Sequence, residues 1–140
     1  MSYVYKEIRT GQLFVDQQFI SNEQLDNALE KADCRIGEWL LKENIINRQQ
    51  LAQVLARYYQ LDYFDLEGFK VDIELFNYLP MNQAVRLNVV PIKLENNTLI
   101  VCVANLDDYN LEQKLESITA KKISLVLADA EDIKETLNRS

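Results

Sequence analysis

The residues able to do chemistry in this 140-residue chain are few, because the commonest one is absent. There is no histidine. Ser-His-Asp and Cys-His nucleophile systems, and zinc sites with mixed Cys and His ligands, are therefore excluded. The three glycines, Gly11, Gly37 and Gly68, are too far apart for a Walker loop or a dinucleotide fingerprint. The cysteines Cys34 and Cys102 form no CxxC pair, and without a secretory leader pattern they read as reduced thiols of a cytoplasmic protein. Asp107-Asp108 follow a predicted strand end, where ligands of α/β folds often bind, but a helix cap is the simpler account. No nucleophile–base pair is visible, so the chain is not expected to be an enzyme. What remains is a matched pair of cations, Arg9 and Arg35, each two residues before a glycine, Gly11 and Gly37.

That pair belongs to a repeat at an offset of 26, in which Ile20, Gln24, Leu25 and Leu29 map to Ile46, Gln50, Leu51 and Leu55. Phe14, Val15, Phe19 and Ala28 map conservatively to Leu40, Leu41, Ile45 and Val54. Each copy reads as helix, turn, helix, and two copies can bury their apolar faces against each other. If the Arg-x-Gly segments begin helices, their free N–H groups and the two arginines would suit a ligand with two phosphates. From spacing alone, helix crossing and surface ion pairs explain the same residues more simply, because glycine permits close approach.

The elements that must position these residues follow from periodicity. Apolar spacing of three and four predicts helices near 9–17, 22–32, 35–43 and 48–59. Ser21 with Gln24 makes a capping box, and Asn47 with Gln50 a weaker one. Beyond residue 60 the period changes. Val89–Leu94 and Thr98–Ala104 read as a hairpin around Glu95-Asn96-Asn97, and Pro91 demands an edge position or a bulge. Asp107–Ile118 reads as a helix, Ile123–Leu127 as a third strand and Ala130–Leu137 as a closing helix. The stretch Leu61–Pro80 is mixed, with a short helix around Asp72–Tyr78. The expected fold is α/β (α+β): duplicated helical hairpins over 1–60, then a small α/β lobe of about three strands over 61–140.

The second copy, Arg35-Ile36-Gly37-Glu38-Trp39-Leu40-Leu41 followed by Ile45-Ile46, Leu51 and Leu55, resembles the motif RLGxxLVxxGLIxxxxLxxxLxxQ. This is the repeated motif of the N-terminal domain of type II secretion and type IV pilus assembly ATPases, the MshEN domain. The resemblance continues through Leu61–Leu66, Leu79-Pro80, Ala84–Arg86, Val89–Ile92 and Leu99–Ala104, covering residues 9 to about 137. The stretch from Tyr63 to Ile92 also resembles the same domain appended to the phage-adsorption class of inner-membrane glycosyltransferases.

The resemblance implies a non-catalytic regulatory or docking module, coupling an attached motor or transferase to an inner-membrane assembly protein. It would be cytoplasmic, or peripheral to the membrane through that partner. The alternative it implies is a receptor for cyclic di-GMP, with no other cofactor and no metal. Residue by residue, the motif arginine matches Arg9 and Arg35, and its glycine Gly11 and Gly37. The apolar positions that cover the ligand match Phe14, Leu25 and Leu29 in one copy, and Ile36, Leu40, Leu51 and Leu55 in the other. The chain departs from the motif at Thr10, at Gln18 and Asn44 (glycine in the motif), and at Ala32 and Tyr58 (glutamine in the motif). The net charge of −7 argues against DNA or RNA as a partner, but not against one small dianion. No apolar run approaches the ~20 residues that span a bilayer.

Overall fold

The computed structural model describes residues 2–140, with side chains described from Lys6 onward. Among the described residues it has seven α-helices, one 3-10 turn and a three-stranded mixed sheet. The chain is a small α/β domain of two units that divide after Gln60.

The first unit holds α1 (Ser2–Asp16), α2 (Asn22–Lys31), α3 (Ile36–Lys42) and α4 (Arg48–Tyr59). α1 packs against each of the other three. The core gathers the apolar positions of both copies, including Phe14, Ile20, Leu25, Ala28, Ile36, Leu40, Ile46 and Val54.

The repeat extends to the backbone. α1 and α3 end alike: Gln18 and Asn44 are left-handed, with φ of 66° and 61°. The Phe19 N–H returns to the Phe14 carbonyl at 3.0 Å, and the Ile45 N–H to the Leu40 carbonyl at 2.9 Å. The Gln18 and Asn44 N–H groups reach the carbonyls of Val15 and Leu41 at 2.9 and 3.0 Å. This is a Schellman ending, whose left-handed residue is usually glycine. Both motif departures at Gln18 and Asn44 are thus positions of backbone conformation. α2 and α4 also begin alike, with full capping boxes at Ser21/Gln24 and Asn47/Gln50. Such caps contribute about 1 kcal/mol each.

The expectation that Arg9 opens a helix is corrected. α1 starts seven residues earlier, at Ser2, which places Arg9 and Gly11 well inside it. Their backbone N–H groups are therefore not free helix-start donors for an anion. Tyr3, Val4 and Tyr5 carry little helix propensity, so local pattern does not signal this extension.

The second unit, Leu61–Ser140, begins with an irregular segment. In it the Phe64 N–H donates to the Leu127 carbonyl at 2.7 Å, and the Leu127 N–H to the Asp62 carbonyl at 2.8 Å. The expected short helix is a 3-10 turn, Ile73–Asn77, started by the Asp72 carboxylate on the Glu74 N–H. α5 (Met81–Leu87) was not expected from the sequence. It follows Pro80 directly and stops at left-handed Asn88.

β1 (Val89–Glu95) and β2 (Thr98–Val103) form the antiparallel hairpin. Its turn, Asn96-Asn97, has φ of 50° and 64°, the positive values that tight hairpin turns require. The register slips between Pro91 and Lys93, so Pro91 sits both on an edge strand and beside a bulge. α6 (Leu111–Thr119) carries the chain to β3 (Lys122–Leu127), which pairs parallel with β2, and α7 (Ala130–Asn138) follows. The 3-10 turn, α5 and α7 pack on β1, and α6 packs on β3.

The reading of Asp107-Asp108 as a helix cap is also corrected. α6 begins later, after Asn110. Asp108 instead accepts the Asn110 N–H at 3.0 Å and Lys114 Nζ at 2.7 Å. The hydrogen bonds from Lys114 and Asn110 hold its carboxyl below the ordinary range.

Candidate functional site

Each Arg-x-Gly segment is built around a close crossing. A Cβ placed on Gly11 would lie 2.5 Å from Leu25 Cδ1 and 3.2 Å from Ile36 Cδ1. One placed on Gly37 would lie 2.5 Å from Leu51 Cδ1 and 3.8 Å from Phe14 Cζ. Leu25 and Leu51 are themselves repeat partners. The glycines therefore serve helix packing in both copies, with the leucine of the following helix against the backbone.

The apolar candidates separate by burial. Phe14, Leu25, Ile36 and Leu40 belong to the core and have almost no exposed surface. Leu51 and Leu55 are half-buried, and Leu29 is 45% exposed. Arg9 is exposed on α1, while Arg35 is half-buried and caps α3 with its backbone. Among the candidates, Arg9, Leu29, Arg35, Leu51 and Leu55 therefore keep accessible surface, whereas Phe14 and Leu40 have none.

The start of α3 is already occupied by the chain itself. Glu7 Oε2, from α1, accepts the Ile36 N–H at 2.5 Å. A carboxylate at that position satisfies one orphan donor and suits the positive end of the helix. Beside this bond lies an open cavity of about 310 Å³. It is lined by Glu7, Ala28, Leu29, Ala32, Asp33, Cys34 and Ile36. Ala32, one of the motif departures, thus lines free space. The other, Tyr58, is engaged: it meets Tyr59 edge-on at 5.1 Å, and Lys6 Nζ lies 5.8 Å from its ring centre. Lys6 also donates to Tyr59 Oη at 2.6 Å.

The remaining departure, Thr10, is buried, and its hydroxyl has no hydrogen-bond partner among the described residues. Glu7, Asp33 and the cavity escaped the sequence reading. The signal was present, since Glu7 and Asp33 are also 26 residues apart, each two before an arginine.

Residues 59–140 match the MshEN domain model. The chain belongs to the MshEN domain family. This MshEN chain is 29% identical over 134 residues to the type IV pilus assembly ATPase PilB of Myxococcus xanthus, covering 94% of the chain and 24% of PilB. It is 33% identical over 93 residues to bacteriophage adsorption protein B of Escherichia coli K12, covering 65% of the chain and 12% of that protein. It therefore spans a quarter or less of the curated relatives it matches. Among solved structures, MshE with cyclic di-GMP superposes with a TM-score of 0.75 at 27% identity, covering 94% of this chain and 97% of that one. The N-terminal domain of XpsE shares the fold, with a TM-score of 0.63 at 15% identity, covering 96% and 94%. No helix among the described residues is long and apolar enough to cross a membrane.

Proposed function

We propose that this MshEN domain is a non-catalytic regulatory module whose first unit binds cyclic di-GMP. Binding would control an ATPase or glycosyltransferase to which the domain is attached. The observation that carries this reading is the likeness, over nearly all of both chains, to MshE with cyclic di-GMP. The chain's own residues support it. Arg9 and Arg35 supply positive charge on an acidic protein, and Leu29 and Leu55, matched positions of the repeat, supply accessible apolar surface together with Leu51. Gly11 and Gly37, with Phe14, Leu25, Ile36 and Leu40, hold the helices that carry them. The departures at Gln18 and Asn44 do not count against binding, because they answer a backbone requirement.

Calorimetric titration of the chain with cyclic di-GMP tests this reading. Saturable heat is expected. Arg9→Ala or Arg35→Ala should weaken binding about tenfold or more, as loss of a hydrogen bond to a charged group does. Lys134→Ala, on α7 in the second unit, should leave it unchanged. Absence of heat from the unaltered chain at high ligand concentration defeats the reading.

A docking role for the second unit is supported by large side chains left in solvent there: Tyr109 at 88%, Ile73 at 73% and Val85 at 58% exposure. The partner would be an inner-membrane assembly protein. A photo-crosslinking side chain at position 109 should capture that protein in cells, and failure to do so removes the support for this role.

A further inference from the structure

On the second unit, the groove between α5 and α6 has an uncommon charge for this protein. It is an open cavity of about 520 Å³, lined by Arg86 of α5 and by Asn110, Gln113, Lys114, Ser117 and Ile118 at α6. These residues carry two cations, two amides and a hydroxyl but no carboxylate, on a chain with 22 acidic against 15 basic residues. We propose that this groove is a docking site for an acidic peptide segment of a partner protein, with Arg86 as its main anchor. The inference rests on the docking reading of the second unit above.

Arg86 is oriented without being neutralised. Its Nε and Nη2 both donate to Gln83 Oε1, at 2.9 and 2.6 Å. That acceptor is an uncharged amide, and Arg86 has no ion pair among the described residues. The protons of Nη1 and the second proton of Nη2 remain, a fork that binds one carboxylate through both oxygens. Lys114 differs, because Asp108 Oδ2 lies 2.7 Å from its Nζ and offsets its charge. It is a second donor rather than a second anchor. Tyr109 and Val85, 88% and 58% exposed, directly precede the lining residues Asn110 and Arg86. An arginine with exposed aromatic and apolar side chains nearby is the composition of a protein interface. An anionic membrane is the poorer match, because lipid headgroups are gathered by clusters of about four to eight cations. Free phosphate would use Arg86 but leave the apolar side chains unused.

Fluorescence anisotropy of a short labelled peptide of alternating aspartate and leucine, with its asparagine counterpart as control, tests this site. Arg86 is exposed, so Arg86→Gln is expected to fold, and circular dichroism checks this. The unaltered chain should bind the aspartate peptide at least about tenfold more tightly than the asparagine one, and Arg86→Gln should lose about ten- to a hundredfold. Lys114→Gln should lose less. Asp108→Asn keeps an acceptor for Lys114 but removes the offsetting charge, so it should bind the aspartate peptide more tightly. Equal affinity for the two peptides, or an Arg86→Gln variant that binds like the unaltered chain, overturns the site. So does Arg86-dependent binding of inorganic phosphate, or of vesicles containing phosphatidylglycerol, when the aspartate peptide does not bind. Crosslinking from position 109 in cells separates this site from the reading beneath it. Capture of the assembly protein that is lost in Arg86→Gln supports both. Capture that survives Arg86→Gln keeps the docking role and removes the groove from it. Absence of capture by the unaltered chain defeats the docking role and this site with it.

Discussion

Gly11 on α1 lies so close to Leu25 on α2 that a Cβ on the glycine would come within 2.5 Å of the leucine's Cδ1. The same crossing recurs between Gly37 and Leu51, but the surroundings differ. Leu25 is buried and Ile36 closes the other side at 3.2 Å, whereas Leu51 is half-buried and the next neighbour of Gly37 is at 3.8 Å. Alanine gains about 1 kcal/mol of helix propensity at either site. Overpacking opposes it by about 1–3 kcal/mol where neighbours cannot yield. Gly11→Ala should therefore destabilise, by up to about 2 kcal/mol. Gly37→Ala should fall within about 1 kcal/mol of neutral, because Leu51 can swing outward. Urea denaturation followed by circular dichroism measures both, and equal losses would refute the distinction.

Left-handed backbone at Gln18 and Asn44 costs energy that glycine would avoid. Gln18→Gly should stabilise by roughly 0.5–1 kcal/mol. Asn44→Gly should gain less, because asparagine tolerates this conformation better than glutamine. A thermal melt showing Gln18→Gly at or below the unaltered chain would contradict the assignment of a conformational role.

The Thr10 hydroxyl is buried without a partner among the described residues, a state that costs about 1–3 kcal/mol. Thr10→Val keeps the branched shape and removes the polar atom. It should raise the melting temperature, with a gain of about 1 kcal/mol. Thr10→Ser, which keeps the hydroxyl and loses a methyl, should lower it.

The two thiols should differ in reactivity. Burial pushes the Cys102 thiol far above its ordinary value, and the residue has no exposed surface. Burial and the Asp33 carboxylate also raise the half-buried Cys34 thiol, to a lesser degree. A raised value means less thiolate at a given pH, so modification of Cys34 should be slow near pH 8 and accelerate as pH rises. An aromatic disulfide reagent should count one thiol in the native protein and two after denaturation. Two fast thiols in the native state would contradict the buried position of Cys102.

How far the sequence could be read depended on where local signals were sufficient. Helices bounded by polar caps, as at Ser21 and Asn47, were legible because the cap and its partner lie three residues apart. The hairpin was legible from its β-branched runs and Asn96-Asn97. α5 was not, because Met81–Leu87 is short and sits between Pro80 and a strand, with its register set by packing on β1. At the candidate site, the repeat picked out Arg9, Arg35 and the glycines. It could not separate surface positions such as Leu29 from core positions such as Phe14, because both are simply apolar in the pattern. Nor could it find the Glu7–Ile36 bond, which joins residues 29 apart in sequence. That contact exists only once α1 is laid across α3.

The same bond limits what this duplication can become. In a solenoid, each repeat presents to the next the surface it received from the one before, so copies can be added without end. Here a carboxylate from the first copy closes the start of the second, and α1 also packs against both α2 and α4. Within the pair, α1 of the first copy contacts both helices of the second. The two copies are thus tied into one packing unit, so a change at Glu7 in the first copy is felt at the start of α3 in the second.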